Sequence, residues 1–172
     1  MRKSASKTVR KALSIAVLVL ACSKGGYLAG QQKVSVGFWN VENLFDTIPS
    51  RFYNDLDYTP GGRLKWDTSK YRTKLSNLAR VIDDAGFDVA GLAEVENEAV
   101  LRDLVMTLTD DYNYIHHTSG DARGIDLALL YKGDKFFPSA SRLVNSGASR
   151  EFLHISGRLS GNMVDIIVCH LP

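Results

Sequence analysis

The segment that decides the fold runs from residue 68 to residue 109 and reads TSKYRTKLSNLARVIDDAGFDVAGLAEVENEAVLRDLVMTLT. Apolar residues recur at helical spacing in its first part, and Gly86 predicts the end of that helix. The apolar run Phe87–Val95 does not alternate, which predicts a strand covered on both faces. A second helix is predicted over Glu98–Thr109, with Asn97 as its N-cap. The segment therefore predicts an α/β domain.

Strand patterns lie on both sides of this segment. Lys33–Asn40 alternates in the manner of a first strand, and the polar, turn-rich stretch Asn43–Gly62 predicts a long surface loop. Loops of this length in compact domains are often functional. Further strands are predicted over Tyr112–Thr118, Ile125–Lys132, Arg142–Val144, Glu151–Leu159 and Asn162–His170, with Ser160-Gly161 as a tight hairpin between the last two. An α/β chain whose second part is a run of hairpins suggests mixed sheets with helices packed outside.

The composition is that of an ordinary globular domain. The 172 residues are 45% hydrophobic and 23% charged, which excludes disorder, collagen and coiled-coil rods. Residues 1–22 carry five basic residues and no acid. The whole chain has a formal charge of +2, and the chain without these residues has a formal charge of −3. The basic balance of the whole chain therefore says nothing about affinity for nucleic acid.

Residues 1–22 are typical of a secretory signal peptide, followed by a linker over residues 23–33. The apolar run at residues 12–21 is shorter than the roughly 20 residues that a membrane span needs. Its end resembles a bacterial lipobox, in which Cys22 would be acylated and would anchor the protein to a membrane. Ordinary cleavage near Ala29-Gly30 and a buried N-terminal helix are the alternatives. We therefore expect an exported protein, either a lipoprotein of the bacterial cell envelope or a secreted or periplasmic protein.

The second cysteine, Cys169, lies in an apolar strand-like run and is predicted to be a core thiol.

Polar side chains follow three of the predicted strands. They lie in Asn40–Asn43, in Glu94–Asn97 and in His170–Pro172. Ligands of α/β sheets bind beyond the strand ends, where carboxylate, amide and imidazole groups could hold a hard cation and a phosphate. Spacing alone leaves the ligand open.

Four motifs together resemble a known family. They are FWNVENLFD at Phe38–Asp46, GLAEVEN at Gly91–Asn97, GIDLALLYK at Gly124–Lys132 and VCHLP at Val168–Pro172. In this order they make the chain from Val34 onward similar to the endonuclease/exonuclease/phosphatase superfamily. That superfamily includes deoxyribonuclease I-like nucleases, abasic-site endonucleases, sphingomyelinases and inositol polyphosphate phosphatases. The resemblance implies an α/β fold, a four-layered sandwich of two mixed β-sheets flanked by helices.

The resemblance also implies roles for individual residues. Glu94 matches the metal-binding glutamate, a hard ligand for Mg²⁺, with Mn²⁺ or Ca²⁺ as alternatives. Asn40 matches the asparagine that contacts the metal shell or the scissile phosphate. Glu42 stands where some members have a second acidic metal ligand, and a solvated role is an equal alternative. His170 matches the histidine that donates to a phosphate oxygen and stabilises the transition state.

Other polar residues have weaker assignments. Asp126 could orient His170 as part of the catalytic machinery, and Arg123 and Arg150 could bind phosphate oxygens. Surface salt bridges explain these three residues nearly as well. The pair His116-His117 has no acid at ligand spacing and is interpreted as structural. The basic residues around the first helix are interpreted as a solvated face: Lys65, Lys70, Arg72 and Lys74.

The family continues downstream with a Gly-Asp-x-Asn segment and a Ser-Asp-His segment, and neither follows His170 in these 172 residues. We therefore expect the N-terminal portion of the domain, with the C-terminal portion missing. The leading hypothesis is a divalent-metal-dependent phosphoesterase that cleaves phosphodiesters with a metal-activated water, with nucleic acid as the favoured substrate class. The alternatives are a phosphomonoesterase, a phospholipid phosphodiesterase, or a catalytically inactive phosphate-binding module. No obligate protein partner is implied.

Overall fold

A computed structural model describes residues 18–22, 33–145, 147 and 150–171. The elements in chain order are β1 (Leu18–Cys22), β2 (Val36–Leu44), α1 (Thr68–Ala85), β3 (Val89–Val95), α2 (Glu98–Thr107), β4 (Tyr112–His117), β5 (Asp126–Lys132), β6 (Phe136–Val144), β7 (Phe152–Leu159) and β8 (Asn162–Val168). A short 3-10 turn, Leu56–Tyr58, interrupts the long loop between β2 and α1. No helix in the described part of the chain has the length and apolarity to cross a membrane.

The predicted leader lies mostly outside the described residues. Residues 1–17 and 23–32 are not described, whereas the backbone of β1 pairs antiparallel with β8. Export, the linker over residues 23–33 and lipidation of Cys22 stay predictions.

The first sheet has the strand order β2-β3-β5-β4 and is mixed. β2 and β3 run parallel and are connected through α1, while β5 pairs antiparallel with both β3 and β4. A parallel pair requires a crossover connection, and α1 supplies it. The carboxyl ends of β2 and β3 therefore lie at the same edge of the sheet.

Local signals explain both helices, and both predictions are confirmed. Asp67 caps α1 by accepting from Lys70 N at 2.9 Å, and Gly86 ends the helix at a φ of 59°. Asn97 caps α2 by accepting from Val100 N at 3.1 Å. The side of α1 that packs against the sheet is apolar and buried: Tyr71, Leu75, Leu78, Ala79 and Ile82.

The second sheet has the order β1-β8-β7-β6, and every pair in it is antiparallel. The described strands of this sheet are therefore antiparallel, where a mixed sheet was expected. Hairpins join β6 to β7 and β7 to β8, and such connections produce antiparallel pairs, while β1 pairs antiparallel with β8 without a hairpin. The predicted hairpin is confirmed, with positive φ at both Ser160 and Gly161.

The edge strand β6 is longer than the sequence predicts. Only its last three residues were expected, yet it begins at Phe136. Pro138 and the small polar residues after it hide the strand pattern. An edge strand tolerates proline, and the pairing with β7 shifts in register between Pro138 and Ala140.

Two hydrophobic cores hold three layers together. One core lies between the two helices and the first sheet, and the other lies between the two sheets. On the outer face of the second sheet, Phe137 and Met163 are 59% and 50% exposed. The described residues thus form three of the four layers that the resemblance implies.

Candidate functional site

The turn after Asn40 carries the first polar groups of the site. β2 extends past Asn40 to Leu44, and the side-chain oxygen of Asn40 accepts from Glu42 N at 2.8 Å. Glu42 and Asn43 have φ values of 55° and 60°, in the left-handed region. Because this region is costly for residues other than glycine, the surrounding contacts must hold the turn in place.

Glu94 lies beside this turn at the end of β3. It also has a positive φ, of 66°, and its Oε2 accepts from Asn43 N at 3.0 Å. Five non-glycine residues of the described chain have positive φ, and three of them are Glu42, Asn43 and Glu94. Each costs about 1–3 kcal/mol, and such strain clusters at functional sites.

His170 approaches Glu94 from the second sheet. Its Nε2 lies 3.4 Å from Glu94 Oε1 and 3.4 Å from Asn40 Nδ2. Gly91 permits this approach: a Cβ there would lie 3.0 Å from Val168 Cγ1, at the end of β8. The sheets can therefore pack closely where β3 and β8 lead into the site.

The environment of His170 favours a neutral ring. Burial lowers the pKa of His170, Arg150 lowers it further, and Glu94 opposes the change. A neutral ring with its proton on Nε2 donates toward Glu94 Oε1, whereas the tautomer with its proton on Nδ1 accepts from Asn40 Nδ2.

The two predicted phosphate-binding arginines lie in one cavity with His170. The cavity has a volume of about 480 Å³. Arg150 Nη1 donates to the carbonyl oxygen of His170 at 3.3 Å, and Arg123 Nη2 forms an ion pair with Asp121 at 2.8 Å. Both guanidinium groups contribute to lowering the pKa of His170, so both lie within its electrostatic reach.

Glu42 is not brought to this cavity. The contacts that tie it to the site are made by its backbone, and it lines a separate groove of about 710 Å³ between β2 and α1. The two interpretations of its carboxylate stay open.

Asp126 is not directed at His170. Its Oδ2 lies 2.8 Å from His116 Nε2, and its Oδ1 accepts from Ser119 N at 2.8 Å. Asp126 and His116 form a buried pair with side chains 4% and 8% exposed. The structure thus corrects two expectations: Asp126 orients the loop after β4 rather than His170, and His116 does have an acidic partner.

Lys74 belongs to the site although it was interpreted as part of a solvated helix face. Its Nζ donates to the carbonyl oxygens of Glu42 and of Asn43, the latter at 3.2 Å. Burial lowers the pKa of Lys74, while the negative charges of Glu42 and Glu94 raise it. The sequence indicates this position of Lys74, because residue 74 is one helical turn from both Tyr71 and Leu78 on the buried side of α1.

Glu96 and Tyr53 were also missed. Glu96 is 4% exposed, and it accepts from Asp46 N at 2.7 Å and from Tyr53 Oη at 3.1 Å. Burial raises the pKa of Glu96 to about 7, and the backbone hydrogen bond from Asp46 opposes the rise. Glu96 thus anchors the long loop to the end of β3. No local pattern marks a contact between residues 43 positions apart.

The donor set at the edge of the first sheet fits a hard cation. Glu94 has a carboxylate that is 13% exposed, and the amide oxygen of Asn40 keeps one lone pair beyond that used by Glu42 N. Mg²⁺ is held in proteins by one or two carboxylates and keeps several waters. No group of three or more His, Cys, Asp or Glu residues with metal-site geometry occurs in the described ranges. The carboxylate of Glu94 and the amide oxygen of Asn40 are oxygen donors of the type that Mg²⁺ prefers.

Comparison with known families gives a match over most of the described chain. The model of the Endonuclease/Exonuclease/phosphatase family matches residues 35–172. No curated protein matches the chain.

Solved structures of similar fold span bacteria and animals. The chain superposes with a TM-score of 0.50 and 18% identity on an endonuclease/exonuclease/phosphatase from Bacteroides vulgatus, covering 79% of this chain and 52% of that one. A humanized D. rerio TDP2 with 14 mutations gives 0.50 and 17%, with coverages of 74% and 45%. A mannosyl-6-phosphatase from Bacteroides thetaiotaomicron gives 0.47 and 19%, with coverages of 73% and 45%. The chain spans about half the length of these structures. The two likenesses with a TM-score of 0.50 show the fold alone.

Proposed function

Because the chain belongs to the Endonuclease/Exonuclease/phosphatase family, we propose that it carries the cation- and phosphate-binding site of a divalent-metal-dependent phosphoesterase. The observation that supports this most directly is the position of His170 Nε2, which follows a strand of the second sheet and lies 3.4 Å from both Asn40 and Glu94 on two strands of the first sheet. The strained backbone at Glu94 supports the same conclusion.

Each residue has a distinct task in the proposed reaction. Glu94 and the amide oxygen of Asn40 would hold Mg²⁺, which would polarise the phosphoryl oxygens and offset the charge that develops on them. Neutral His170 donates from Nε2 to a phosphate oxygen, and Arg150 fixes the backbone of His170. Arg123 supplies a positive charge beside the phosphate.

We propose phosphodiesters of nucleic acid as the substrate class, with phosphomonoesters and phospholipids as the alternatives. Arg123 lines the cavity and its side chain is about half exposed, so a bulky substrate can reach the guanidinium. Small monoesters need no such open approach.

A substrate panel tests this proposal. The complete natural gene product is incubated with duplex DNA, RNA, bis(p-nitrophenyl) phosphate, p-nitrophenyl phosphate, sphingomyelin and inositol phosphates, each with Mg²⁺ or with EDTA. We expect cleavage of the nucleic acids and of the diester analogue with Mg²⁺, its loss in EDTA, and its return on adding Mg²⁺. Cleavage of monoesters alone would replace the nuclease proposal with a phosphatase. Binding without any turnover would favour the inactive module.

Substitution of Lys74 by methionine tests its role at the turn. Lys74→Met keeps the apolar stem but removes the donor to the carbonyl oxygens of Glu42 and Asn43. We expect hydrolysis to fall about tenfold, the lower end of the effect of residues that orient metal ligands. The matched control is Lys70→Met, because Lys70 Nζ donates to Leu64 O from an exposed position on the same helix. Equal activities of the two variants would refute the role of Lys74.

A further inference from the structure

We propose that Tyr53 is a positioning residue for Arg123, and that it sets how the proposed site binds the substrate phosphate. The inference rests on the proposed function and extends it to the long loop between β2 and α1. It depends on one chain of contacts, which runs from Glu96 through Tyr53 to Gly124.

The hydroxyl end of Tyr53 is fixed by a buried carboxylate. Tyr53 Oη donates to Glu96 Oε1 at 3.1 Å, and Glu96 is itself held by Asp46 N. Asp55, which is 4% exposed, accepts from Ser50 N at 3.0 and 3.1 Å. These hydrogen bonds close a short loop that contains Tyr53. The side chain of Tyr53 is thus fixed to Glu96, which follows β3 and lies two positions after Glu94.

The ring of Tyr53 lies directly on the backbone of Gly124. A Cβ at position 124 would overlap the ring carbons Cγ, Cδ2 and Cε2 of Tyr53, and Gly124 has a φ of 68°. Glycine is therefore required here twice, for the close approach and for the left-handed conformation. The ring confines the chain at the residue that directly follows Arg123.

Arg123 stands at the end of a loop held at both sides. At its start, Ser119 N donates to Asp126 Oδ1 at 2.8 Å. At its end, Gly124 N donates to Asp121 O at 2.9 Å, and Arg123 Nε donates to Asp121 Oδ1 at 3.1 Å. The ring of Tyr53 joins this loop to the loop after β2.

The position of Arg123 matters to the site because Arg123 and His170 line the same cavity. The side chain of Arg123 is about half exposed, so its guanidinium keeps donors for a phosphate beyond those that bind Asp121. A shift of the backbone at Gly124 would therefore move a phosphate-binding charge relative to His170.

Limited proteolysis tests the contact without using activity. Trypsin cleaves after arginine, and the rate of cleavage at the Arg123–Gly124 bond is followed by the mass of the fragment that begins at Gly124. We expect Tyr53→Leu to raise this rate about tenfold, because a loop that has lost its packing opens more often. Tyr53→Phe keeps the ring and should change the rate less. The control is Tyr114→Phe, since Tyr114 Oη donates to Glu98 Oε1 at 3.0 Å in an exposed pair.

A double-mutant cycle tests whether Tyr53 acts through Arg123. KM for bis(p-nitrophenyl) phosphate and the inhibition constant of inorganic phosphate are measured with Mg²⁺ for Tyr53→Leu, Arg123→Gln and the double variant. We expect each single variant to raise both constants about tenfold with a smaller change in kcat, as for loss of a charged hydrogen bond. The double variant should match Arg123→Gln, because residues acting as one unit are not additive.

The outcomes separate this inference from the function it rests on. Unchanged proteolysis in Tyr53→Leu, or additive effects in the double variant, would overturn the role of Tyr53 while leaving the phosphoesterase intact. A wild-type protein that neither binds phosphate nor cleaves any ester would overturn the proposed function, and the phosphate role of Tyr53 with it. Faster proteolysis together with non-additive constants supports both.

Discussion

Glu94→Gln is expected to reduce phosphoester hydrolysis by at least about 10²-fold, since a bound cation contributes several kcal/mol to transition-state stabilisation and each 1.4 kcal/mol is tenfold in rate. The substitution keeps the shape of the side chain and an oxygen that can accept from Asn43 N, so the turn beside it is preserved. It removes the negative charge that would hold the cation. The measurement is kcat/KM for bis(p-nitrophenyl) phosphate over a range of Mg²⁺ concentrations.

The matched control for this variant is Glu98→Gln. Glu98 lies in the first turn of α2 and accepts from Tyr114 Oη, outside the contacts that form the site. We expect Glu98→Gln to keep wild-type activity, and loss of a charge at a helix start costs only about 0.3–1 kcal/mol of stability. Wild-type activity in Glu94→Gln would contradict the assignment of Glu94.

Much of the fold follows from local signals in the sequence. α1 is marked at both ends, by Asp67 and by Gly86, and by an apolar stripe between them, so its bounds could be predicted without knowledge of the rest of the chain. β6 could not, because an exposed edge strand needs neither apolar alternation nor the absence of proline. The antiparallel direction of β6, β7 and β8 follows from the hairpins that join them, whereas the pairing of β1 with β8 joins distant parts of the chain and has no local signal.

Only part of the candidate site could likewise be predicted from the sequence. Asn40, Glu94 and His170 stand at strand ends, and their meeting could be expected from sequence motifs alone. The contacts that hold them could not be, because they join distant parts of the chain. Lys74 reaches a turn more than 30 positions away, and Asp126 finds His116 across the β4–β5 pair. The packing of the layers determines which of these residues meet, and local sequence patterns do not predict such contacts.

His170→Ala is expected to lower kcat by about 10² to 10³, the usual effect of removing one donor to a developing negative charge. His170 is 6% exposed, and its carbonyl oxygen, which Arg150 binds, is retained in the variant. The backbone contact should therefore hold the strand end, and KM should change less than kcat. His170→Gln keeps an amide donor and should recover part of the loss.

The control for His170 lies on the outer face of the second sheet, where His154 Nε2 pairs with Asp165 Oδ1 at 2.9 Å. His154→Gln removes a histidine from an acid-paired position remote from the cavity, so general effects of losing such a pair appear in both variants. Only a role at the phosphate predicts a fall in kcat for His170→Ala alone. An equal loss of kcat in the two variants would make His170 a packing residue. The same would follow if His170→Ala had the kcat of the wild type and the same inhibition constant for inorganic phosphate. The cavity arginines would then have to stabilise the transition state without His170.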